Sequence, residues 1–292
     1  MIQLTLRFAK LCLVLILSLL LGSCMNKTFE IKGLTPVSGS GNILIEKREI
    51  SQNFDKITVS NSIDVELVQA PNYEITVEAD DNIIPYILTE INGSTLNIRF
   101  DGIFVSNVKK TKVYVKMPKI TDLRASATSE IEAKTPIKSD DLVLKSSSTA
   151  DIKLAQVTAN SIIAEASSSS DIKIETVYTA EFKGQTSSTA EIEIDYIEAD
   201  KISLTTSSSS EIELKGKALD LYADTSSASK IEAKELLVNN VIANASSSSS
   251  IKINPIVSLK AKASSTADIY YYNNPKTIEK KTSSAGSVKK KK

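Results

Sequence analysis

A serine cluster, a charged residue and an isoleucine return about every 20 residues through the second half of the chain. "KSSSTADIKL" (Lys145–Leu154) is followed by "ASSSSDIKI" (Ala166–Ile174), "TSSTAEIEI" (Thr186–Ile194) and "TSSSSEIEL" (Thr206–Leu214). Aligned on the isoleucine, the series runs Ile131, Ile152, Ile172, Ile192, Ile212, Ile231, Ile251, Ile269 and then Val288, in steps of 18 to 21 residues. A fixed period in this range means a stacked architecture, in which each unit buries its apolar face only against its neighbours.

Reading backwards from each isoleucine in steps of two identifies the unit. Ten residues before stand Leu142, Ile162, Phe182, Ile202, Leu221, Val241 and Leu259. Eight and six before are apolar or small residues, and four before is always serine: Ser148, Ser168, Ser188, Ser208, Ser227, Ser247 and Ser265. Sustained alternation of period two is a strand pattern. We read two strands per repeat joined across a narrow bend, with the minus-four serines turned inward and their hydroxyls satisfied by one another or by backbone carbonyls. The predicted fold is all-β: a single-stranded parallel β-helix, or solenoid, of about 20 residues per coil. It is expected to be right-handed, because parallel crossovers favour that hand. Nine coils would make a rod of roughly 40 Å.

The opposite face is polar. Directly before the isoleucines stand Asp151, Asp171, Glu191 and Glu211, a candidate surface ladder of carboxylates, and directly after stand Lys153, Lys173, Glu193 and Glu213. The Ser/Thr rows at minus five and minus three, such as Ser147 and Thr149, are expected to face solvent.

Composition narrows the chemistry. Lys plus Arg equal Asp plus Glu at 35 each, so no global basic field draws the chain to nucleic acid. There is no His and no Trp. Histidine-based catalysis and His-ligated zinc are therefore excluded. Both cysteines, Cys12 and Cys24, lie in the first 24 residues, which leaves no disulfide framework for the rest. No catalytic, cofactor-binding or metal-ligating motif stands out.

The N-terminus reads as an address over residues 1–23. Arg7 and Lys10 precede an apolar run from Leu11 to Leu21, of signal-peptide length. Leu21-Gly22-Ser23-Cys24 then resembles the bacterial lipobox, which implies acylation of Cys24 and a stable membrane anchor. Residues 24–41, ending in "SGSG", read as a flexible tether. Residues 42–120 carry alternating strands without the repeat, an irregular start of the same domain whose excursions cap the stack. "NSIDVEL" echoes the later repeats and places Val65 in an early coil. "INGST" reads as a hairpin turn, and "DDNIIPYILTEI" as a short helix or loop. Regular repeats occupy residues 121–288, and Lys289–Lys292 form a basic tail.

The blocks "GSGNILIEKREISQNFDKITVSNSIDVELVQ" and "VEADDNIIPYILTEINGSTLNI", followed by the "SSSTADI" repeats, resemble the putative auto-transporter adhesin family with a head GIN domain. The resemblance covers about residues 40 to 288. It implies a β-helical envelope protein, often with a lipoprotein signal, and carries over no catalytic residues. The chain has no translocator barrel of its own.

The expected function is that of a non-enzymatic cell-envelope lipoprotein, held on the outer membrane through its lipid. It presents a repetitive surface to glycans or to envelope or matrix proteins, with no cofactor. The alternative is a polysaccharide-active β-helix enzyme using acidic neighbours such as Asp80/Asp81 or Asp140/Asp141. Against it stand the scarcity of arginine and the near-constant period, which leaves no long loops to wall a cleft. Cation binding by the carboxylate ladder, and an ice-binding role for the Ser/Thr rows, are weaker readings.

Overall fold

The computed structural model describes residues 36–292. The expected signal peptide over 1–23 and the lipidation site Cys24 lie outside the described residues.

The domain is an all-β solenoid of about eight turns, with about 20 residues per coil. Its regular part shows why the sequence folds this way. Asp151–Ser167 and Asp171–Ser187 are both strand for 17 residues and lie parallel, in register, isoleucine on isoleucine. Within the first, Ile152, Leu154, Val157, Ala159, Ile162, Ala164 and Ala166 are buried. The alternation slips twice, at Ala155–Gln156 and at Asn160–Ser161, where two successive residues turn away from the core. Pairing also lapses at Ala155 and Asn160. A one-residue slip exchanges the faces of a strand, so each slip marks a corner. Each coil thus has three straight runs and three corners, not the two runs expected.

The third corner corrects the expected direction of the serines. Ser188 and Thr189 have φ of 54° and 64°, and every regular coil carries such a left-handed pair. Ala190 N–H donates to Ser187 O at 3.3 Å, closing a turn of the primed type that needs φ > 0 at both central residues. Two such residues in a row break the in–out alternation. The minus-four serines, among them Ser148, Ser168, Ser188 and Ser208, are therefore exposed. The minus-two residues point inward instead: Ala150, Ser170, Ala190, Ser210 and Ser229. Left-handed backbone is unfavourable for residues with a Cβ. The stack offsets this with hydrogen bonds from coil to coil, such as Ser169 N–H to Ser188 O at 3.0 Å and Ser209 N–H to Ser227 O at 3.0 Å. Buried hydroxyls occupy the minus-six and minus-two rows and satisfy one another. Thr206 Oγ1 lies 2.6 Å from Thr225 Oγ1 and 2.9 Å from Ser229 Oγ.

The N-terminal half is ordered differently. Lys56–Val59 and Asp64–Gln69 form a coil that pairs in parallel with Asp122–Ser126 and Glu130–Ala133. Val65 sits beside Ile131, as the echo in the sequence predicts. On its other side this coil pairs with Thr95–Phe100 and Thr111–Met117, which come later in the chain. Antiparallel strands close that end. Ile87–Asn92 forms a hairpin with Thr95–Phe100, turning at Gly93, φ 61°, and Glu74–Asp80 lies between Thr111–Met117 and Ile43–Lys47. "DDNIIPYILTEI" contributes one short 3₁₀ turn, Ile84–Tyr86, before the hairpin.

Asp80 fastens this cap. Its carboxylate is buried and accepts N–H bonds from Gly41 at 2.6 Å, Lys109 at 2.9 Å and Lys110 at 3.3 Å. Burial alone would raise its pKa, but these donors outweigh it and hold the carboxyl below its usual range. The "SGSG" segment is consequently not a free tether. Val37–Ser38 pairs with Val105–Ser106, and Ser40 N–H bonds Asn82 Oδ1 at 2.9 Å.

The far end stops with charge. Lys280 takes the inward register position of Ala261, and its Nζ bonds the Tyr271 hydroxyl at 2.9 Å. Lys289 and Lys290 belong to a final strand, Ser287–Lys290. Inward and edge charges discourage another strand from continuing the stack.

Candidate functional site

The repeat converts every sequence position into a column along the rod. Asp151, Asp171, Glu191 and Glu211 are register neighbours in four successive coils, about 4.8 Å apart. The column is longer than the sequence reading proposed. Glu130 pairs with Asp151, and Asp64 pairs with Glu130. Six carboxylates therefore follow one another, bracketed by Lys112 beside Asp64 and Lys230 beside Glu211. The added members were legible, since Asp64 precedes Val65 and Glu130 precedes Ile131 just as Asp151 precedes Ile152.

The neighbouring column neutralises the ladder unevenly. Lys153 pairs with Glu130 and with Asp151, the latter at 3.2 Å. Lys173 turns away to Glu193 at 2.9 Å, and Lys230 reaches Glu211 at 3.6 Å. Among the described residues, Asp64, Asp171 and Glu191 have no ion-pair partner, Lys112 beside Asp64 reaching Glu66 instead at 2.7 Å. Shielding by the flanking coils pushes the Asp171 carboxyl up, and the Asp151 charge adds to it. Glu191 is raised by the same shielding and then by the charges of Asp171 and Glu211. Asp64 is raised by burial and by Glu130. Like charges in direct opposition are unfavourable in a sheet. The column thus holds uncompensated negative charge at Asp171 and Glu191 and at its Asp64 end.

This arrangement is flat. The carboxylates stand in a line instead of converging, and no group of three metal-ligating side chains comes together among the described residues. The cation reading has no cage to support it. A shallow depression runs along Asp151, Asp171 and Glu191 with Lys153, Lys173 and Glu193. Of the acidic pairs considered for catalysis, Asp80 is committed to backbone N–H groups of the cap, and Asp81 accepts from Ser40 Oγ at 2.5 Å.

A second surface was missed by the sequence reading. On another face Leu219, Leu237 and Ile256 are 50%, 46% and 37% exposed and line a groove with Glu198, Asp200 and Lys217. Tyr178 and Tyr196 meet edge to face nearby, with centroids 6.3 Å apart. Here the register slips, between Ile194 and Ile197 and again between Glu213 and Gly216. Gly216 has φ +128°, and a Cβ there would lie 2.2 Å from Ile197 O. The slips leave only a one-residue trace in the spacing: Ile192 to Ile212 is 20 residues, whereas Ile202 to Leu221 is 19.

Comparison with known proteins agrees with this architecture. Residues 53–177 and 175–275 match the family described as "Putative auto-transporter adhesin, head GIN domain". The chain belongs to that family. A crystal structure of a putative adhesin from Parabacteroides merdae superposes with a TM-score of 0.70 at 22% identity, covering 88% of this chain and 99% of that one. A putative adhesin from Parabacteroides distasonis gives 0.69 at 21% identity, covering 88% and 100%. A putative lipid binding protein from the same species gives 0.62 at 21% identity, with 88% and 100% covered. At these identities the likeness is one of fold. No curated protein sequence matches the chain. The adhesin-type family points to a cell-envelope or surface protein. Among the described residues, no helix is long and apolar enough to cross a membrane.

Proposed function

We propose that the protein is a non-enzymatic binding scaffold of the cell envelope, anchored through an acylated Cys24, and that its carboxylate column is the contact surface. The observation that carries this reading is the six-member acidic column with two adjacent unpaired members, Asp171 and Glu191. The matching partner is a repetitive glycan or an envelope or matrix protein that offers cationic groups along an extended line. Each contact is weak and solvent-screened, and several in register add through avidity.

The test is a binding array of glycans and matrix proteins. Replacing Glu191 alone with Gln should change apparent affinity by less than about threefold. Replacing Asp151, Asp171, Glu191 and Glu211 together with their amides should weaken it about tenfold or more. Loss of all binding on the single change would point to one localised pocket and contradict the column. Release of reducing sugar ends from a polysaccharide panel would contradict the non-enzymatic reading. The anchor is tested separately: Cys24→Ala should abolish incorporation of labelled palmitate.

A further inference from the structure

The N-terminal cap carries an apolar rim that its own fold leaves uncovered. Leu44, Ile45 and Phe104 are 51%, 65% and 61% exposed, and Ile43 and Tyr86 add to them. Hydrogen bonds join the segments that hold these side chains. Asp81 N–H donates to Asn42 O at 2.8 Å, Asp101 N–H to Tyr86 O at 2.9 Å, and Val37 N–H to Phe104 O at 2.8 Å. The last bond also shows that the chain enters the described domain, at Pro36, directly beside Phe104.

The other ends of the sheet are managed differently. Carbonyls of the hairpin strand Ile87–Asn92 accept from side chains, Ile87 O from Arg48 at 3.3 Å and Ile91 O from Gln52 at 3.1 Å. The last coil ends in lysines. Ile43–Lys47 pairs on one side only, with Glu74–Asp80, and its exposed residues include three successive large apolar ones. Such an edge is ordinarily blunted with charge.

We propose that this cap rests in the interfacial layer of a lipid bilayer, entering by the free edge of Ile43–Lys47, whose two sides carry Leu44 and Ile45, with Phe104 inserted as well and the solenoid projecting away. The inference rests on the anchored reading for its reach. Pro36 is the twelfth residue after Cys24, so an acylated Cys24 would hold the cap within about 40 Å of the membrane. Interfacial depth suits the chemistry. Apolar side chains gain from the acyl boundary, the unpaired backbone groups of Ile43–Lys47 keep water, and Tyr86 is of a type favoured at that level. Lys47 has a long stem on the same side of the strand as Ile45, and its ammonium, 3.6 Å from Glu74, stays at headgroup level. The carboxylate column then runs away from the membrane, where a partner can reach it.

The chain contains no Trp, so one introduced Trp is a clean reporter. Full-length protein carrying Phe104→Trp would be produced in a lipoprotein-processing bacterium and reconstituted into phosphatidylcholine vesicles with or without brominated acyl chains. A second protein carrying Tyr222→Trp reports from the side of the solenoid. Flotation measures the anchor, and quenching measures the cap. The expected result is flotation of both proteins, with the reporter at 104 blue-shifted and quenched roughly twofold or more and that at 222 unquenched. A floating protein with an unquenched reporter at 104 overturns the cap proposal and leaves the anchor standing. Absence of both flotation and quenching overturns both. A reporter at 104 that is already blue-shifted without vesicles, and is not quenched by them, shows the rim covered by Thr28–Thr35 or a second copy and also overturns the proposal.

Discussion

Between Asp151 and Ala263 each coil lies on the one before it in the chain, whereas between Lys56 and Met117 spatial order departs from chain order. Both regions bury the same kind of aliphatic core. They differ in how polar groups are satisfied. In the regular part most backbone groups find their partner one coil away, so one solution serves every repeat. In the cap the partners are particular, and a single buried carboxylate, Asp80, holds three N–H groups from two distant segments. Regular stacking therefore spreads stability and surface chemistry evenly, while the cap concentrates them.

The sharpest way to break this contrast is Asp80→Ala. Three N–H donors gathered on one buried carboxylate lose their acceptor, so we expect about 3 kcal/mol of destabilisation. Hydrogen exchange should rise around Gly41, Lys109 and Lys110 and stay unchanged in the coils beyond Asp151. Uniform loss of protection along the rod would show that the two regions are one cooperative unit.

A middle-sized effect tests the turn. Ala190→Leu overpacks an inward position and should cost about 1–3 kcal/mol in a urea melt. Ser188→Gly, at an exposed left-handed position, should stay within about 0.5 kcal/mol of the parent or improve on it. The reverse order would restore the inward minus-four serine.

The smallest effect separates the regions by pH. Asp171 and Glu191 have carboxyls raised in the folded state, so their ionisation opposes folding, and the penalty appears as pH rises through those raised values. Asp80 is lowered, so its contribution is present above the ordinary carboxylate range and is lost as pH falls through its folded value. Asp171→Asn with Glu191→Gln should therefore stabilise at pH 7 by about 0.5 kcal/mol, and the gain should shrink on acidification. Melting curves at pH 7 and pH 4 decide it, and a gain that grows in acid would contradict the assignment.

The sequence carried the columns because Ile152, Ile172 and their counterparts recur at nearly constant spacing and the acidic residue precedes them each time. It hid the serine turn because paired left-handed residues are ordinarily announced by Gly or Asn, and Ser188–Thr189 has neither. Counting in twos then carried the inward assignment straight through the corner. The groove at Leu219 and Leu237 lies where the register slips, and the spacing shows that one residue is lost between Ile192–Ile212 and Ile202–Leu221 but not which side chains the slip turns outward. The out-of-order coil Thr95–Met117 left no signal, because each of its strands alternates like any other.

Deleting one whole coil tests the central claim most directly. Removing residues 172–191 joins Asp171 to Ile192 and preserves the acid–isoleucine register while taking one carboxylate from the column. Stability in a stacked repeat is close to a sum of repeat and interface terms. The shortened protein should therefore melt cooperatively, and its affinity for a ligand of the parent should fall by only about two- to tenfold. An unfolded product, or a folded one that has lost all binding, would contradict an account in which fold and contact surface are both distributed along the coils.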